Sequence, residues 1–281
     1  MKRLLLFLCL FLFALVSNAQ HDFDLNLFLG TSNYSGDLQD KRFTLKQAQL
    51  AGGIGLSYAI SDHFTARASF KIGKISADDK VGRNRNRNLN FSSEITEGSL
   101  NLQYLVTPLS AHVFTPYLFA GVAIYHFDPF THDSTGRKYY LKPLSTEGEG
   151  FISGRNNYSL TQFSIPLGAG VKMPLSDNIT VGFEVGYRKL FTDYLDDVST
   201  TYVDPGLLLA NRGTKALELA YRGDELKAGS NTYPTGNQRG NSRYKDLYYF
   251  TGLTLSFRLS NSLFGNGGGG KNEWDCPKIV L

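Results

Sequence analysis

Three carboxylates fall within five residues at Asp193, Asp196 and Asp197, in the run Thr192-Asp193-Tyr194-Leu195-Asp196-Asp197-Val198-Ser199-Thr200. Several hard oxygen ligands are what Ca²⁺ takes, but the spacing is not that of an EF-hand loop. Aspartates so placed also close Asx turns by accepting backbone N–H groups, and that is the preferred reading of a segment that ends a strand. The five histidines (His21, His63, His112, His126, His132) form no His-x-x-x-His pair, and no Cys-x-x-Cys occurs. His126 followed by Asp128 is the one pair suggestive of hydrolase chemistry. A rim histidine hydrogen-bonded in an aromatic belt accounts for it more simply. Ser145-Thr146-Glu147-Gly148-Glu149-Gly150 forms a tight loop without the lysine of a phosphate loop. No catalytic, cofactor or metal set emerges, so a non-enzymatic protein is expected.

The segments that would position these residues alternate with a period of two. In Tyr244–Leu259 the odd positions Leu247, Tyr249, Leu253, Leu255, Phe257 and Leu259 are apolar, with Thr251 the exception, while Gly252, Thr254, Ser256 and Arg258 share the other face. This is longer than a typical globular strand of about 5–6 residues and suits a tilted strand crossing a bilayer, which needs about 9–11. Similar runs occupy about 22–30, 48–60, 63–75, 91–105, 116–127, 159–173 and 179–191. Pro116–Phe127 is apolar on both parities, which leaves its facing open, and Pro166 predicts a bulge or an unpaired position in the sixth run. Eight strands joined alternately by short turns (61–62, 106–114, 174–178) and long loops (31–47, 77–90, 128–158, 192–243) predict an all-β, eight-stranded antiparallel transmembrane barrel. Its long loops would face outside and its short turns the periplasm.

Targeting agrees with that reading. Lys2 and Arg3 precede an apolar run of 13 residues, Leu4–Val16, and Ser17-Asn18-Ala19 offers small residues for cleavage. Residues 1–19 are therefore expected to be a signal peptide, 20–260 the barrel and 261–281 a glycine-rich linker and periplasmic tail. Removing residues 1–19 takes away Lys2 and Arg3 and lowers the net charge from +4 to +2, giving no electrostatic case for nucleic acid. The expected surroundings are outer-membrane lipid.

An eight-stranded barrel leaves an interior that side chains fill. Arg67, Lys71, Glu94, Glu184, Arg188 and Arg258 are expected to form an ion-pair plug there in preference to a conducting pore. Glu94 shares parity with lipid-facing Leu100, so it would need a bulge to point inward. Beyond the last strand, Gly267–Gly270 leads to Trp274, Cys276 and Pro277. With the signal peptide gone, Cys276 is the single cysteine, and two readings stay open: an intermolecular disulfide or an inert thiol. The tail likewise reads either as an unstructured terminus or as a docking peptide for a periplasmic partner.

Three groups of residues carry a resemblance to a known family: Arg87-Asn88-Leu89-Asn90-Phe91 with Ser93-Glu94-Ile95; Pro143-Leu144-Ser145-Thr146-Glu147-Gly148; and Phe191-Thr192-Asp193-Tyr194-Leu195-Asp196-Asp197-Val198-Ser199. Together with the terminal Cys276-Pro277, they resemble a Bacteroidetes outer-membrane β-barrel family typified by PorG of the type IX secretion system. The resemblance implies an eight-stranded barrel that associates with a periplasmic ring of the PorK/PorN type, in a machine that exports proteins and supports gliding in some members. It brings no catalytic residues. Against this stand a free-standing surface barrel, acting as scaffold, adhesin or narrow pore, and an outer-membrane hydrolase using His126.

Overall fold

The computed structural model describes residues 23–39, 44, 47–82, 84–227 and 229–259. The expected signal peptide and the tail with Trp274, Cys276 and Pro277 lie outside these residues. Eight long strands form the wall: β1 (Phe23–Ser35), β2 (Gln49–Ala59), β3 (Phe64–Asp78), β4 (Asn90–Leu105), β5 (Thr115–Phe127), β8 (Thr161–Ser176), β9 (Ile179–Leu190) and β10 (Leu247–Leu259). Each pairs antiparallel with its neighbours, and β1 closes the ring on β10 from Phe23↔Leu259 to Ser35↔Leu247. Closure leaves no strand edge in the wall, as a hydrocarbon environment requires.

The period of two sorts side chains as anticipated. Outward positions carry Leu50, 81 % exposed, Leu29, 71 %, and Phe163, 69 %. So much exposed aliphatic and aromatic surface calls for lipid to cover it. At the short-turn rim, Phe23 packs on Tyr58 and Phe64 on Tyr104, with ring centroids 5.2 and 5.3 Å apart. These are the amphipathic and aromatic groups favoured at a membrane interface.

The facing of β5 is resolved by size. Tyr117, Phe119, Tyr125 and Phe127 point inward and are buried, whereas Leu118, Val122 and Ile124 point out. Glycines opposite make room for the rings. A Cβ on Gly168 or Gly186 would lie 2.4 or 2.5 Å from Phe119 Cζ. At Pro166 the β5–β8 ladder lapses between Ala120↔Leu167 and Ala123↔Ser164 without changing register. The lapse follows from proline's missing N–H. The irregularity in β8 falls instead between Pro174 and Ser176.

The described parts of the long loops hold regular elements and packed side chains. β6 (Phe130–His132) and β7 (Lys138–Tyr140) form a hairpin that extends the wall beside β4 through Ser92↔Phe130. The 192–243 segment folds into two helices, α1 (Pro205–Arg212) and α2 (Thr214–Ala220). Asp204 caps α1 by accepting the Leu207 N–H at 3.0 Å, Pro205 begins it, and Gly213 ends it at φ 83°. These are strong local start and stop signals. A continuous core of Phe28, Tyr34, Leu38, Phe91, Phe127, Leu195, Val198 and Phe250 runs from the upper lumen into the loops above it. The loops thus form a cap over the barrel.

Candidate functional site

Two carboxylates organise the lumen. Glu184 on β9 accepts from Arg67 Nη1 at 2.6 Å, Lys71 Nζ at 2.9 Å and the Tyr117 hydroxyl at 2.9 Å. Glu97 on β4 accepts from Arg188 Nε and Nη2, each at 2.7 Å, and from the Tyr248 hydroxyl at 2.7 Å. The Arg188 pair is bidentate, the strongest form of this contact. Lys172 donates to Gln103 Oε1 at 2.7 Å. Four cations thus face two carboxylates, and ring faces take up part of the excess: Lys71 Nζ lies 4.2 Å from the Phe28 centroid and the Arg188 guanidinium 4.6 Å from that of Phe250.

Of the six charges expected in the plug, the structure brings together Arg67, Lys71, Glu184 and Arg188. Two are corrected. Glu94 is exposed on the outer face of β4 and pairs in register with Lys74. No bulge interrupts β3–β4, so parity keeps it outside. Glu97, three residues later and on the parity of Asn101 and Gln103, occupies the inward place. Arg258 is the penultimate residue of β10, at the short-turn rim. Its side chain is 46 % exposed, 3.9 Å from Asp24 Oδ1, and stands apart from the buried network. Lys172, Tyr117 and Tyr248 also join the lumen network; inward parity on their strands was the available signal.

The three sequence motifs meet in the cap. Glu147 accepts from the Ser199 and Thr200 N–H groups at 3.0 and 2.7 Å, the Thr200 hydroxyl at 2.6 Å and Arg239 Nη1 at 3.0 Å. Thr146 donates to Asp197 Oδ2 at 2.6 Å and Tyr158 to Asp197 Oδ1 at 2.7 Å. Arg87 grips Asp79 with Nε and Nη2, both at 2.7 Å, and donates to the carbonyls of Asp37 and Arg239. Asn88 reaches the Arg222 carbonyl at 2.9 Å. Within the 192–200 run an Asx turn is present, with Val198 N–H donating to Asp196 Oδ1 at 2.9 Å. Asp193 accepts from the Ser199 hydroxyl at 2.9 Å, Tyr34 donates to Asp196, and Tyr194 stacks on Tyr158 at 5.0 Å. The run expected to lie in a surface loop is therefore largely internal: Asp193, Asp196, Asp197 and Ser199 are all buried.

Burial sets the electrostatics of this cap. It pushes the Asp193 carboxyl up to about 7 and Asp197 up to about 6, the latter held down in part by Arg239. Glu149 is pushed up to about 8 by burial and by the neighbouring Asp197 and Glu147. Asp196 and Asp246 are likewise raised by burial, followed by repulsion from nearby aspartates. Among the described residues, no group of three or more histidine, cysteine or acidic side chains is arranged to hold a metal ion. His126 is exposed on the outer face of β5, and its Nδ1 lies 2.9 Å from Thr161 Oγ1.

Comparison with known structures finds Neisserial surface protein A at 9 % identity, covering 84 % of this chain and 97 % of that one, with a TM-score of 0.43. Ail of Yersinia pestis is similar at 10 % identity, covering 86 % and 100 % with a TM-score of 0.41. OprG of Pseudomonas aeruginosa matches at 11 %, covering 85 % and 97 % with a TM-score of 0.40. Identities this low say nothing of a shared activity. No curated protein matches the sequence. A family model described as a domain of unknown function, DUF6089, matches residues 2–204, which include seven of the eight wall strands and all three motifs of the cap. The chain therefore belongs to the DUF6089 family.

Proposed function

We propose that this chain is a non-enzymatic outer-membrane barrel of the type IX secretion machinery, anchoring a periplasmic ring of the PorK/PorN type through its C-terminal tail. The observation that carries the reading is the joining of the three resemblance motifs into one buried unit. Glu147 and Thr146 bond the 197–200 segment directly, and Arg87 is linked to both through Arg239, whose guanidinium holds Glu147 and the Asp197 carbonyl, so the three segments form one connected unit. Topology supports the tail's role. β10 ends at Leu259, at the end of the barrel that carries the short turns and opposite the cap. Short turns are periplasmic in barrels of this type, so the residues after Leu259 would start there.

In this reading the barrel supplies the anchor, the lumen network closes the channel, and Trp274, Cys276 and Pro277 make the contact. A pull-down in mild detergent from native membranes, with and without reductant, tests it. The full chain is expected to retain ring proteins, and deletion of Gly265–Leu281 to release them while the barrel keeps its heat-modifiable gel mobility. Equal recovery of the partner without the tail would overturn tail docking. Loss of recovery with reductant alone would identify Cys276 as a covalent link.

A further inference from the structure

A recess of about 770 Å³ opens in the cap where the β1–β2, β3–β4 and β9–β10 loops meet. We propose that it is a binding site for a neutral oligosaccharide. Its size falls within the range of about 300–1,000 Å³ usual for small-ligand sites.

The wall chemistry selects among ligands. Asn84, Asn86 and Asn237 line the recess, and their side-chain amides hydrogen-bond to no group among the described residues. Each amide offers a carbonyl acceptor and a two-proton donor side by side, which suits the adjacent hydroxyls of a sugar. Tyr221 adds an aromatic wall. Its ring is held edge-on by Tyr202 and Tyr233, with centroids 5.9 and 5.7 Å away, and its hydroxyl is fixed on the Ser230 carbonyl at 2.8 Å. A ring held in place by its neighbours gives apolar contact at little entropic cost, as tyrosine does in other recognition surfaces.

The same wall argues against an anion. Arg87 and Arg239 both border the recess, but Asp79 neutralises the first through two bonds of 2.7 Å and Glu147 the second at 3.0 Å. Both guanidinium groups also hold backbone carbonyls. A phosphate or sulfate would have to compete with those partners. Asp37 accepts the Asn241 N–H at 2.8 Å and so holds the β9–β10 loop. Unengaged amides, a fixed tyrosine, guanidinium groups already paired, and an Asp37 carboxylate that would repel an anion together describe a site for uncharged hydroxyls.

The test uses the full-length chain in detergent on an array carrying maltotriose, cellotriose, chitotriose and mannotriose, their sulfated counterparts, and neutral fragments of the cell's own surface polysaccharide. Retention of a neutral glycan is expected and should persist in about 0.5 M salt, where charge attraction is screened. The spots retained tell whether the ligand is of the cell's own surface or foreign. Asn84→Ala with Asn86→Ala, and separately Asn237→Ala, should weaken retention about tenfold, the loss of roughly one net hydrogen bond. These side chains are exposed, and unchanged heat-modifiable mobility verifies the fold. No retention, retention of sulfated glycans alone with release by salt, or binding indifferent to both sets of variants would overturn the proposal. The tail deletion should leave retention intact, which separates this site from periplasmic docking.

Discussion

Glu184 shows what one residue carries in this barrel. Removing it would strand Arg67, Lys71 and the Tyr117 hydroxyl inside the lumen, all buried and all without their shared acceptor. Truncating one partner of a buried ion pair costs about 3–5 kcal/mol, mostly from the charge left behind. Glu184→Ala is therefore expected to lower stability by about that amount in urea unfolding from lipid vesicles. Glu94→Ala, on the exposed face of the same wall, should stay within about 0.5 kcal/mol. The contrast separates inward from outward parity in a single measurement. Parity was already legible in the sequence at this scale: Glu97 stands in step with Asn101 and Gln103, and a strict count puts it in the lumen. Glu94 was drawn into the plug only by supposing a bulge that β3–β4 does not contain. At Arg258 parity was right but depth decided the outcome, because a residue beside the turn meets the rim rather than the interior.

The cap is the element whose behaviour should depend on pH. Asp197, Asp193 and Glu149 have folded values of about 6, 7 and 8. All exceed the unfolded values of about 3.9 for aspartate and 4.3 for glutamate. The folded cap thus binds protons more tightly than the unfolded loops. The stability this contributes is complete below about pH 4 and is lost as pH rises through about 6 to 8. Hydrogen exchange of the 192–243 segment should be more protected at pH 5 than at pH 9, with the wall strands unchanged. Equal protection at both would mean that these carboxyls are already ionised within the fold. The strands of the wall were readable because alternation is local, and α1 announced itself through Asp204, Pro205 and Gly213. The burial of Asp196 and Asp197 was not readable, since their partners Tyr34, Thr146 and Tyr158 come from other loops and far positions in the chain. A polar run looks solvated until its partners are known.

At the scale of the whole molecule, the wall is closed, its exterior is apolar, and its interior is crossed by side chains. Arg67, Lys71, Glu97, Glu184 and Arg188 span the lumen with exposures of 6 % or less, and the rings of Phe28, Phe119 and Phe250 lie beside the cations. The purified chain in planar bilayers should therefore show no steady conductance. Persistent single-channel steps would mean that the plug leaves a path for ions. The cap faces one way with its amide-lined recess, and β10 ends the other way.

One contact ties these levels to the history of the chain. Tyr34 is the penultimate residue of β1 and Asp246 immediately precedes β10, and the Tyr34 hydroxyl meets both Asp196 and Asp246 Oδ1, the latter at 3.4 Å. The first and last strands of the wall are thereby clasped together from above. Asp246 comes beside Tyr34 because Leu247 pairs with Ser35, so the clasp registers closure of the wall. A chain stalled one strand short would lack that pairing, and limited proteolysis of the 192–243 segment should tell the two apart.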